Sequence, residues 1–139
     1  MPARNRHATG PRDPLGVENA SCPQAGEVGQ VRARQSAERE SATGRGVLIV
    51  TREACKEYGI AFKGARVVIQ GFGNVGSNTA LLMEEAGAKV VAVSDVFGGI
   101  HNPKGLHVGR ILTHLKTTGK LAGFPGADPV TNEELLTLD

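Results

Sequence analysis

Tryptophan is absent from this chain of 139 residues, and aromatic residues together make up only 4% of it. A core must therefore be built from small aliphatic side chains, a texture that suits parallel α/β layering better than an aromatic-rich sandwich. Cysteine is nearly as scarce: Cys22 and Cys55 stand far apart without C-x-x-C spacing. That excludes a disulfide framework and a zinc-finger type of site, and leaves a reducing, cytoplasmic setting as the default. No apolar run approaches the roughly 18 to 20 residues of a membrane span. The opening MPARNRHATGPRD has no apolar segment of the secretory type, and Asp13, Glu18 and three early prolines argue against a transit peptide. A formal net charge of +2 is too small to point to nucleic acid or to an anionic membrane as partner, even with a pI near 8.7. The length allows one domain or a piece of one.

What is present divides the chain in two. Residues 1–35 mix Pro, Gly, Arg, Asn and Gln with hardly any apolar periodicity, and are expected to form a disordered tail. Residues 36–139 carry the ordered texture. Thr43 is a candidate N-cap for a helix over GRGVLIVTREACKEYG, in which Val47, Val50, Ala54 and Tyr58 recur at helical spacing and Gly59 is the stop. RVVIQ, residues 66–70, is a short β-branched run of the kind buried on both faces of a parallel sheet. In the segment after the glycine turn, Val75, Thr79, Leu82, Met83 and Ala86 share a helical face, with Gly87 as the stop. KVVAVSD, residues 89–95, reads as the next strand, which predicts a parallel βαβ unit with a right-handed crossover. Beyond it VFGGIHNPKGL reads as a turn-rich connection, HVGRILTHLKTTG as a helix and GFPGADPV as loop. TNEELLTLD then opens a last helix with Thr131 and Glu134 as a capping box.

The segment VVIQGFGNVGSNTALLMEEAGAKVVAVSD carries the chemistry. Gly71 lets the chain turn sharply off the strand end, Gly73 has no Cβ to keep an anion from the backbone, and Gly76 lets helix and strand pack closely. The first free N–H groups of the helix, near Phe72, Asn74 and Val75, then face a pyrophosphate with the positive end of the helix dipole behind them. A lone G-x-G-x-x-G is a weak signal. Here it follows a strand, opens a helix, and is followed at the end of the next strand by Asp95, where a carboxylate can accept both hydroxyls of a ribose. Asp95 would repel a 2′-phosphate, which favours NAD with NADP as the alternative; it can equally cap the turn that follows it.

The order SAERESATGRGV, KGARVVIQGFGNVG, EEAGAKVVAVSD, GGIHNPKGL and GFPGADPVTNEELLTLD resembles the dinucleotide-binding domain of glutamate dehydrogenases over residues 36–139. In this resemblance GGIHNPKGL separates the glutamate type from the leucine and phenylalanine dehydrogenases. It implies a partial Rossmann-like, doubly wound parallel sheet and an NAD(P)-dependent oxidoreductase that interconverts L-glutamate and 2-oxoglutarate with release of ammonia. It also implies that Thr43 reaches the nicotinamide carboxamide and Asn74 the nicotinamide ribose. Residues 71–76 (Gly71, Phe72, Gly73, Asn74, Val75 and Gly76) would hold the pyrophosphate, and Asp95 the adenosine ribose.

Family members carry a substrate domain ahead of ATGRG, with lysines for the substrate carboxylate and carbonyl and an aspartate for proton transfer. Nothing in residues 1–35 matches these, and the second half of the sheet that follows TNEELLTLD in the family is missing as well. The expectation is a glutamate-dehydrogenase-type piece, truncated at both ends, that binds cofactor without catalysing alone. A regulatory NAD-binding module that pairs as a hetero-oligomer with a full-length homologue, and a gene remnant without function, are the alternatives. His101, His107 and His114 do not share the spacing of a metal site, and Cys55 reads as a small core residue.

Overall fold

The computed structural model describes residues 25–139. Among the described residues, four helices and four strands follow in the order α1 (Ala25–Glu57), β1 (Arg66–Gln70), α2 (Asn74–Glu85), β2 (Lys89–Asp95), β3 (Gly98–His101), α3 (Val108–Thr118), β4 (Asp128–Val130) and α4 (Asn132–Leu135). The sheet has the strand order β1-β2-β3-β4. β1 and β2 pair in parallel across α2, as expected, with a register shift between Val67 and Val68.

The remaining pairs are antiparallel, so the sheet is mixed and not parallel throughout. The stretch after Asp95 is too short for a crossover helix, so the chain folds straight back as a hairpin, with Asp95 opposite Gly98. Of the two glycines that make GGIH look like a turn, Gly98 serves by its φ of 139° and Gly99 by room. A Cβ on Gly99 would stand 2.6 Å from the Val93 carbonyl oxygen and 2.8 Å from Ser94 Cβ. β4 then adds residues 128–130, expected as loop, to the outer edge of β3.

α1 departs most from expectation. It runs without a break from Ala25, so residues 25–35 lie in a helix, while residues 1–24 are outside the described residues. Glu, Gln, Arg and Ala dominate its first half and no proline falls within it, so intrinsic propensity sustains a helix that apolar periodicity does not signal. Thr43 is consequently not an N-cap: it lies mid-helix, where its hydroxyl donates to the Arg39 carbonyl at 3.0 Å. The packed face also differs. Val47, Val50 and Tyr58 are exposed, Tyr58 to 79%, and Gly44, Leu48 and Cys55 turn inward instead. Gly44 selects this face, because a Cβ there would lie 3.1 Å from the Thr79 amide nitrogen; α1 lies against α2 at van der Waals distance.

The core sits between α2, α3 and the sheet, where Ile69, Met83, Val90, Val93, Ile100, Val108 and Ile111 are buried. α2 ends as expected, with Gly87 at φ 99° beyond the Ala86 cap. At α4 both halves of the predicted capping box are formed: the Thr131 N–H donates to Glu134 Oε2 at 2.9 Å, and the Glu134 N–H to the Thr131 hydroxyl at 3.1 Å. The backbone N–H of Thr131, and secondarily its side chain, hold the Glu134 carboxyl below its ordinary value of 4.5. A depressed folded-state pKa gives a contribution that is whole above the unfolded value and fades as pH falls through the folded one. Glu134→Gln keeps the hydrogen bonds without titrating. Its melting temperature is therefore expected to lie below the parent's at neutral pH, and the gap to close as the pH is lowered below the ordinary carboxylate range.

Candidate phosphate-binding turn

β1 ends at Gln70 and α2 begins at Asn74, so the whole reversal takes three residues. Gly71 makes it at φ 89°, a conformation that favours glycine. The N–H groups of Gly71 and Phe72 both donate to the Ser94 carbonyl, at 2.9 and 2.8 Å, and the Phe72 ring is buried. This corrects one expectation: the Phe72 N–H is engaged by β2, so Phe72 anchors the turn and does not offer a donor. Gly73 is the N-cap of α2, with extended backbone (φ −84°, ψ −159°) and no side-chain cap. Its carbonyl accepts from the Ser77 N–H at 2.8 Å, which closes the first helical turn. Helix geometry leaves the N–H groups of Asn74, Val75 and Gly76 without an internal acceptor.

The three glycines do different work. A Cβ on Gly76 would lie 1.8 Å from the Gly71 carbonyl oxygen, so no side chain fits there. A Cβ on Gly73 would meet nothing within 4 Å, so the turn is open at that residue. The turn thus has one glycine that packing requires and one that stands in the open.

Asp95 stands at the end of β2, next to the Ser94 carbonyl that anchors the turn. Its Oδ1 accepts from the Phe97 N–H at 2.8 Å, the turn-capping role, and its carbonyl accepts from Asn132 Nδ2 at 3.1 Å. One carboxylate oxygen, Oδ2, is left for a further donor among the described residues. A concavity of about 1070 Å³ opens on the far side of Asp95, lined by Phe97, Ile100, Leu121, Val130 and Asn132. Its lining includes Asp95 but none of residues 71–76. Beside it, Asn132 Oδ1 is buried without a hydrogen-bond partner among the described residues, as is the hydroxyl of Ser94.

Of the sequence-derived site residues, Gly71, Phe72, Gly73, Asn74, Val75 and Gly76 thus lie in one turn and the start of α2, with Asp95 at the end of the neighbouring strand. Thr43 lies on α1 one residue before the close contact of Gly44 with Asn78 and Thr79 of α2, but its hydroxyl is turned back to the Arg39 carbonyl, and no contact joins it to the turn among the described residues. One participant was not foreseen. Glu40 Oε1 accepts from Asn74 Nδ2 at 3.0 Å, across 34 positions of sequence. The histidines are dispersed: His107 Nδ1 faces Glu84 Oε1 at 3.3 Å, His114 lies edge-on to Phe124, and His101 is in β3.

Residues 36–139 match the family model of glutamate/leucine/phenylalanine/valine dehydrogenases. The chain belongs to this family. Over 101 residues it is 50% identical to the cryptic catabolic NAD-specific glutamate dehydrogenase of Bacillus subtilis (strain 168), covering 73% of this chain and 23% of the relative. It is 46% identical over 97 residues to the NADP-specific glutamate dehydrogenase of Saccharolobus shibatae, covering 70% and 23%. The fold matches the hetero-hexameric glutamate dehydrogenase of Thermus thermophilus in its Leu-bound form, with a TM-score of 0.64 and 38% identity over 72% of this chain and 23% of that one. The chain therefore spans about a quarter of the length of these dehydrogenases.

Proposed function

We propose that residues 36–139 are the Rossmann-like, NAD(P)-binding portion of a glutamate-dehydrogenase-type oxidoreductase, and that the chain alone binds the dinucleotide without turning over. One observation carries this reading: α2 opens on the N–H groups of Asn74, Val75 and Gly76, which lack an internal acceptor, behind an N-cap glycine, Gly73, that leaves open space where a side chain would stand, while Gly76 admits no side chain. These features fit a pyrophosphate, whose charge the N-terminus of α2 favours. Asp95 Oδ2 would accept from the adenosine ribose, and Thr43 and Asn74 would line the nicotinamide side. When bound, the nicotinamide supplies a hydride acceptor for the α-carbon of L-glutamate, or a donor to 2-oxoglutarate. The residues assigned here bind and orient; the lysines for the substrate and the aspartate for proton transfer are not among them.

Relatives of this chain include both an NAD-specific and an NADP-specific dehydrogenase. The choice for this chain falls to Asp95, whose charge opposes a 2′-phosphate. Calorimetric titration of the purified chain is expected to show saturable NAD⁺ binding, weaker NADP⁺ binding and no glutamate-dependent reduction of either. Asp95→Ala should weaken NAD⁺ by about tenfold, the worth of a hydrogen bond to a charged acceptor, and narrow the preference over NADP⁺. A folded sample that binds neither cofactor would refute the reading.

A second reading, a partner module for a homologous dehydrogenase subunit, draws support from the exposed apolar side chains Val47, Ile49 and Val50 on α1. Such pairing would place cofactor binding in the assembled form.

A further inference from the structure

Glu40 belongs to α1, but its carboxylate is held at the start of α2. Oε1 accepts from Asn74 Nδ2 at 3.0 Å and from the Ser36 hydroxyl at 3.3 Å. Asn74 is the first residue of α2, so an anionic group rests one side-chain amide away from the N–H groups assigned to the pyrophosphate. One turn further along α1, Gly44 fixes the approach of the two helices, so the carboxylate is placed by packing as well as by its hydrogen bonds.

The end of a helix that favours an anion favours the nearest carboxylate too. A carboxylate this close also repels an incoming diphosphate, since the two lie within a Debye length of about 10 Å at ordinary ionic strength. We propose that Glu40 is a gate on the phosphate turn: in the free protein it clasps Asn74 and stands in for the cofactor's negative charge, and an entering dinucleotide must release it. The release frees the Asn74 amide to turn toward the ligand. This rests on the cofactor reading above and adds to it a residue that sets affinity by opposing the ligand.

Two substitutions separate charge from contact. Glu40→Gln keeps an oxygen that accepts the Asn74 N–H but removes the charge, while Glu40→Ala removes both. Calorimetry with NAD⁺ at low salt is expected to show about three- to tenfold tighter binding to Glu40→Gln than to the parent, with the gain shrinking in 0.5 M salt as screening replaces the substitution. Glu40→Ala should bind more tightly than the parent as well. In the cofactor-free chain, the side-chain amide NMR signal of Asn74 should move in Glu40→Ala and move again when NAD⁺ is added to the parent. Equal or weaker binding by Glu40→Gln overturns the gate, and an Asn74 signal indifferent to Glu40→Ala shows that the clasp is not formed. If the signal moves but no variant binds NAD⁺, the cofactor reading itself fails, and Glu40 is reduced to a clasp between two helices.

Discussion

Gly76→Ala is expected to lower the melting temperature sharply and to weaken NAD⁺ binding with it. The added methyl would lie 1.8 Å from the Gly71 carbonyl oxygen and 2.9 Å from its carbon. Both are backbone atoms, so no rotamer change relieves the clash. Gly71 cannot yield either, because its N–H and that of Phe72 are the two hydrogen bonds that tie the turn to Ser94 on β2. Either those bonds break or α2 moves off the sheet, and α2 carries Ala80 and Met83 into the core. Overpacking against a rigid partner costs about 3 kcal/mol. For a domain of this size that is a drop on the order of 10 °C or more. The N–H groups of Asn74 and Val75 move with the helix, so affinity should fall at least tenfold, the loss of one charge-assisted hydrogen bond. Thermal unfolding and calorimetry on the same preparation check both. A variant that melts with the parent would mean that α2 has room to slide, contrary to the packing described.

How much of this was legible in the sequence depended on the kind of signal. β1, β2 and the helix between them lie where short β-branched runs and a bounded apolar period put them, because those residues are buried and burial selects for pattern. The capping box at Thr131 was legible because it is local, needing only two side chains three residues apart. β3 was not, since its glycines look like punctuation until Gly99 meets Val93 and Ser94. The face of α1 was misjudged for a related reason. Val47, Leu48, Ile49 and Val50 put apolar groups around the whole circumference, and the face that packs is chosen by Gly44, while Gly46 two residues on meets nothing. Within the turn, the positions of the glycines were readable but not the fate of each N–H. Phe72 looked like a donor to an anion, and only the Ser94 carbonyl reveals that its hydrogen bond is already made. Glu40 left no sequence signal at all, since its partner is 34 residues away and the contact exists only through the crossing of two helices.

Gly73→Val is expected to separate binding from stability, where Gly76→Ala joins them. The backbone at Gly73 is extended, with φ −84° and ψ −159°, at the edge of the β region and outside the left-handed one that calls for glycine. Nothing lies within 4 Å of the new Cβ. Valine is a poorer N-cap than glycine, which sets the cost to the fold at about 1 kcal/mol or less. The methyl groups, however, project into the open side of the turn. If the pyrophosphate passes over Gly73, as the proposed reading requires, it would overlap them on approaching Asn74, Val75 and Gly76. Losing two charge-assisted hydrogen bonds at about 1.5 to 3 kcal/mol each predicts a fall in NAD⁺ affinity of more than a hundredfold. The melting curve should stay within a few degrees of the parent's, so a failure to bind would not be confused with a failure to fold. If the valine variant bound NAD⁺ as tightly as the parent, the phosphates would not pass over Gly73. The openness of the turn at that residue would then be incidental, and the N-terminus of α2 would lose its claim as the anion site while the packing role of Gly76 stood unchanged.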